Sequence, residues 1–209
     1  MKKRLAYTFI LLACTFLSLE AGEKAKGEYE HTRFTFGAEW SYVASFWSGW
    51  HYNFFSSEGY RIDQRGNAAG YTSSAEAYLH AGYNFNRHWN LSFYAGYAGI
   101  GHYNRVVPMS FRVTRYFGKN PLADRWLTFL DIGSGICIKP GPQEIVTAKA
   151  GGGWRMSLSR CTKLDFLASA RVTYTHPTVT YDSIAVPVDM TNRNEALVLA
   201  LSVGISLTF

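Results

Sequence analysis

Beyond its first twenty residues the chain has no run approaching 18 apolar residues, and this rules out a transmembrane helix there. Cysteine is scarce, with three in 209 residues. Lysine and arginine are not massed into a dense cluster, so nothing argues for a nucleic-acid partner. The six histidines show no metal-ligand spacing such as His-x-x-x-His on a helix, and no metal or other cofactor is expected. Gly151-Gly152-Gly153 is not a phosphate loop, because no Lys-Ser/Thr pair follows it and no helix opens after it. It suits a bend or close packing inside a strand.

What is abundant points to β structure. Aromatic residues make up 16% of the chain and glycine is frequent, arranged in short alternating segments. The N-terminus carries Lys2, Lys3 and Arg4, then an apolar run from Leu5 to Leu19. That run is too short to span a bilayer as a helix, and the layout is that of a secretory signal. We therefore divide the chain into a signal peptide, residues 1–21, and a mature domain, residues 22–209. Leu11-Leu12-Ala13-Cys14 resembles a lipobox imperfectly, since Leu12 is bulky and the chain stays apolar after Cys14. Cleavage would remove three basic residues and Glu20, lowering the formal charge from +6 to +4.

Eight segments alternate with period two, each about as long as a tilted membrane strand. They run over 33–46, 74–85, 91–99, 109–118, 127–138, 146–158, 164–175 and 197–209. The first sets Phe34, Phe36, Trp40, Tyr42 and Phe46 on one face, opposite Thr35, Gly37, Glu39, Ser41 and Ser45. Connections after the second, fourth and sixth segments are short, whereas residues 47–72 and 176–195 read as long loops. Short turns on one side and long loops on the other suit an outer-membrane barrel with periplasmic termini. The fold class expected is all-β, a closed antiparallel eight-stranded transmembrane β-barrel in a bacterial outer membrane. Unpaired strand edges are too costly in hydrocarbon for the sheet to stay open.

The same parity sends a charged set inward. Its acids are Glu39, Glu76, Asp131 and Asp165; its bases are Arg112, Lys149, Arg155 and Arg171; His80 joins them. Charges withdrawn from bulk water must be paired, so this set reads as a polar core that plugs the barrel. Arg115 falls on the lipid face, where a long side chain can snorkel from the periplasmic edge. Cys137 and Cys161 fall at opposite ends of the sixth segment, too far apart for a disulfide.

The last strand ends with Ser202, Gly204, Leu207 and a terminal Phe209. This ending looks like the signal read by the barrel-assembly machinery. In pattern, size and ending, the mature chain resembles the small eight-stranded outer-membrane barrels of the OmpA and OmpX type. The resemblance implies a monomer in contact with outer-membrane lipids. It does not fix an activity, because that group holds structural anchors, adhesins and lipid-modifying enzymes. A deacylase of this fold class uses a His-x-Ser pair; the nearest match here is His176-Pro177-Thr178, with threonine for serine and a proline that disrupts strand pairing. The expected role is structural or surface-interacting. An outer-leaflet lipid hydrolase and a small-solute channel are the alternatives. Phe46–Phe55 packs six aromatic residues into ten, which suits an interfacial girdle or a binding surface.

Overall fold

In the computed structural model, residues 32–56, 58–100, 104–118, 120–139, 143–182 and 184–209 are described. The signal peptide expected over residues 1–21 lies outside them. Eight long strands form the wall: β1 (Phe34–Phe55), β2 (Arg61–Asn84), β3 (Trp89–Ile100), β4 (Asn104–Tyr116), β5 (Arg125–Lys139), β6 (Gln143–Ser157), β7 (Lys163–Thr175) and, last in the chain, β10 (Thr191–Thr208). Between β7 and β10 lie a small hairpin, β8 (Thr180–Tyr181) and β9 (Ile184–Ala185), and one 3-10 turn at Val188–Met190. Neighbouring strands are antiparallel throughout, and the order β1-β10-β7-β6-β5-β4-β3-β2 closes on itself. At the seam Phe36 and Phe209 exchange backbone hydrogen bonds of 3.2 and 2.8 Å, and their rings stack at 5.6 Å.

Alternation decides what faces lipid. Leu79, Phe111, Trp126, Leu130, Ile132 and Val203 are exposed on the outer wall, while their strand neighbours Glu76, Arg112, Asp131 and Ser202 are buried. Trp126 and Leu79 are exposed by 63% and 69%. Such large apolar side chains are stable on an outer surface only where the solvent is hydrocarbon. The turn end of the wall carries Phe34, Phe85, Trp89, Phe117 and Trp126, an aromatic girdle of the kind that sits at a membrane interface. Arg115 faces outward there, its guanidinium 5.5 Å from the Trp89 ring and 5.3 Å from that of Phe117.

Four strands extend by five or more residues beyond the ends that the alternation suggested. β1 continues to Phe55 and β2 begins at Arg61, so residues 47–72 form a projecting hairpin rather than a loop. β10 begins at Thr191, six residues before the expected start, and β4 begins at Asn104 rather than Met109. For β1, β2 and β10 the physical reason is a register shift between Ser45 and Trp47, where β1 carries one extra residue against β10. A bulge flips the parity. Beyond it Trp47, His51 and Asn53 continue the lipid-side face, while Trp50, Tyr52 and Phe54 continue the lumen side. Above the barrel rim β2, β1 and β10 therefore form a three-stranded sheet. Phe54, buried at 1% exposure, meets Tyr181 of the small hairpin at 5.6 Å between ring centroids.

Cys137 and Cys161 are not bonded to each other. The first is buried near the outer end of β5, and the second is exposed in the turn between β6 and β7.

Register at the closing seam is testable by crosslinking. Ala44 and Leu201 are directly opposed on the outward face. With Cys137 and Cys161 replaced by serine, Ala44→Cys/Leu201→Cys should oxidise to an intramolecular disulfide, detected by mass spectrometry. Ala44→Cys/Ala200→Cys places the thiols on opposite faces and should not. Equal crosslinking of both pairs would refute the register.

Candidate functional site: the charged lumen

The lumen is filled in three levels. Nearest the outside, Ile100, Val106, Cys137 and Ile145 form a buried apolar cluster on β3 to β6. Nearest the turns, Tyr116, Leu127, Phe129 and Leu167 form another. Glu39, Glu76, Arg112, Asp131, Lys149 and Arg171 lie between these two apolar layers.

Strand register stacks four of them in one cross-strand ladder. Arg112 opposes Asp131, Asp131 opposes Lys149, and Lys149 opposes Arg171. This wall holds three bases and one acid. The compensating carboxylates come from the opposite wall, Glu39 on β1 and Glu76 on β2. Arg112 holds Glu39 with two hydrogen bonds, Nη1 to Oε2 at 2.5 Å and Nη2 to Oε1 at 3.1 Å, and donates Nε to Asp131 Oδ2 at 3.1 Å. Glu76 receives Lys149 Nζ at 2.5 Å and Arg171 Nη1 at 2.9 Å, one on each oxygen. The network of Glu39, Glu76 and Asp131 with Arg112, Lys149 and Arg171 is neutral, and its members are all buried.

A separate pair lies nearer the turns. Arg155 on β6 binds Asp165, its cross-strand partner on β7, through Nε and Nη2, each at 2.6 Å. This parallel fork is the strong geometry for a guanidinium and a carboxylate. His80 stacks on Tyr94 at 4.8 Å, and its Nε2 lies 3.4 Å from Ser206 Oγ. The inward Gly37 leaves room for it, since a Cβ at that position would come within 2.6 Å of His80 Nε2.

Aromatic residues that the charge pattern did not single out support the bases. Arg112 lies 4.0 Å from the Tyr94 ring and 4.4 Å from that of Phe129, while Lys149 lies 4.5 Å from that of Tyr78. Tyr116 lies between Arg155 at 4.3 Å and Arg125 at 4.1 Å. Arg125, a further buried base, donates to the backbone oxygen of Arg87 at 2.8 Å. Inward parity beside a base would have marked these rings. A cavity of about 20 Å³ remains beside His80, Tyr94 and Arg155, roughly room for one water.

The other residues singled out lie apart from the lumen network. His176, at the outer end of β7, packs edge-on against Tyr174 at 5.0 Å, with its Nδ1 3.3 Å from Asn194 Oδ1. Thr178 is exposed two residues further on. At the C-terminus Ser202 Oγ lies 2.6 Å from Ser169 Oγ, and Gly204 lies against Ser41, whose Oγ a Cβ there would strike. Leu207 pairs with Ala38 and with Leu164.

The projecting sheet holds a second polar group. His51 on β1 bonds Asp63 Oδ1 through Nε2 at 2.7 Å; Arg65 Nε lies 3.1 Å from Nε2, and Arg193 Nη1 3.2 Å from Nδ1. The hydrogen bond from His51 holds the exposed Asp63 carboxyl below its ordinary pKa.

No family model matches the chain, and no curated protein is significantly similar to it. Solved structures are similar in fold. The outer-membrane protein OprG from Pseudomonas aeruginosa aligns over 88% of this chain and 99% of its own, with a TM-score of 0.52 at 11% identity. Neisserial surface protein A aligns over 84% and 97%, with a TM-score of 0.48 at 12% identity. At such identities the likeness extends to the barrel fold and not to an activity.

Removing one partner of a buried ion pair strands the other charge, at a cost of about 3–5 kcal/mol. Glu76→Gln removes the carboxylate shared by two bases. Its urea unfolding midpoint in detergent micelles should fall by an amount matching that range. Glu195→Gln, in the exposed pair with Arg193, should cost under about 1 kcal/mol. Equal effects would show that the lumen pairs do not hold the barrel.

Proposed function

We propose that the protein is a closed, monomeric outer-membrane barrel with a structural and surface-interacting role. Export would use the signal peptide over residues 1–21. Insertion would proceed through the barrel-assembly machinery, with Ser202, Gly204, Leu207 and Phe209 as its recognition sequence. The reading is carried by the bracing of the lumen from opposite walls, Glu39 to Arg112 and Glu76 to Lys149 and Arg171. A conducting pore needs a continuous wet path, and ion pairs between two apolar layers oppose one. The part that reaches past the membrane is the projecting sheet, and surface interaction belongs there.

Planar-bilayer recording tests this reading. The purified protein should give no sustained unitary current at neutral pH. A reproducible open level would replace the structural reading with the channel reading.

A further inference from the structure

The bulge in β1 carries the lipid-side face upward without interruption. Phe46 and Tyr42 end the apolar wall, with the Tyr42 hydroxyl bonded to that of Tyr71. On the same face, four residues beyond Trp47, stands His51, joined by contacts to Asp63 and Arg65 of β2 and Arg193 of β10. Four residues at about 3.3 Å each, tilted by about 40°, put this group about 10 Å above the aromatic ring. That is the height of lipid headgroups, outside the hydrocarbon and beside it.

The charge and orientation of the group suit an anion. Beside the group on the same face Arg61 gives Nε to Asn53 Oδ1 at 3.1 Å, Asn53 being the cross-strand partner of Asp63, and with it the three arginines outweigh Asp63 and Glu195 by one. The carboxylates do not cancel the guanidiniums so much as aim them. Arg193 gives Nε to Glu195 Oε1 at 3.0 Å and Nη1 to His51 Nδ1 at 3.2 Å, while Arg65 Nε lies 3.1 Å from His51 Nε2, the nitrogen that donates to Asp63. The Arg65 and Arg193 side chains remain 71% and 49% exposed, with donors left for a phosphate. His51 fixes the two on either side of β1. A phosphate received between them would belong to a molecule whose acyl chains lie along Tyr42, Phe46 and Trp47.

We propose that this face binds the phosphate of an outer-leaflet glycolipid. The proposal rests on the surface-interacting reading above, because it needs the projecting sheet at the outer leaflet. It names the partner that the reading leaves open.

The test uses the full mature protein in phosphatidylcholine nanodiscs doped with either lipid A or its dephosphorylated form. Native mass spectrometry counts the lipid retained after release. Wild type should retain phosphorylated lipid A over the dephosphorylated form, and Arg65→Gln/Arg193→Gln should lower that preference about tenfold or more, as for loss of charge-assisted hydrogen bonds. Asn67→Asp adds a carboxylate at an exposed position on the same face while removing no arginine, and it should also lower the preference. Heat-modifiable mobility in gels confirms that each variant is a folded barrel. Equal retention of the two lipids by wild type overturns the proposal, as does an undiminished preference in both variants. Full displacement of lipid A by millimolar inorganic phosphate overturns the lipid assignment in favour of a free-anion site. If these fail while the wild-type barrel stays silent in planar bilayers, the headgroup site is wrong and the closed-barrel reading stands.

Discussion

Inside a bilayer no water is available to a bare peptide group, and every other feature of this protein follows from that constraint. Each unpaired N–H or C=O costs several kcal/mol in hydrocarbon, so the sheet has to close. Closure sets β1 against β10 and stacks Phe209 on Phe36. It also fixes two surfaces with opposite demands. The outer one meets lipid and is built from Phe111, Trp126, Leu130 and Val203. The inner one is too narrow for a second apolar shell throughout, and it receives the small residues and the charges.

Charges so enclosed lose their hydration, and only a partner in good geometry offsets the loss. Cross-strand neighbours alone do not suffice here. The ladder on β4 to β7 carries three bases to one acid, and two glutamates on the far wall complete it. The resulting bridges run across the lumen, tying β1 to β4 and β2 to β6 and β7. Tyrosine and phenylalanine rings fill the space around the bases, and missing side chains make room for them. A Cβ on Gly151 would come within 2.9 Å of the Phe129 ring. The glycine run of β6 is thus a packing device within a strand.

The strands and their two faces were legible in the sequence because a period of two is a local property. Glu39, Glu76, Arg112 and Asp131 could each be assigned a face from nearest neighbours. Their partners could not. Glu39 and Arg112 are 73 positions apart, as are Glu76 and Lys149, and alternation says nothing about height along the barrel axis. The projecting sheet was hidden for a different reason. Aromatic residues stand on both faces of residues 46–55, so the pattern gives no parity to follow, and the bulge after Ser45 reverses the parity that precedes it. Residues 47–72 therefore resembled a loop. The group around His51 depended on that same bulge, and on β10 starting at Thr191 rather than Leu197.

The central claim is that ion pairs across the lumen hold opposite walls of a closed barrel together. A double-mutant cycle on Glu39 and Arg112 measures this directly, with Glu39→Gln, Arg112→Met and the double variant unfolded reversibly in lipid vesicles. The account predicts a coupling free energy above about 1 kcal/mol, the double variant being far less damaged than the two single losses added together. Additive losses, with a coupling near zero, would contradict it.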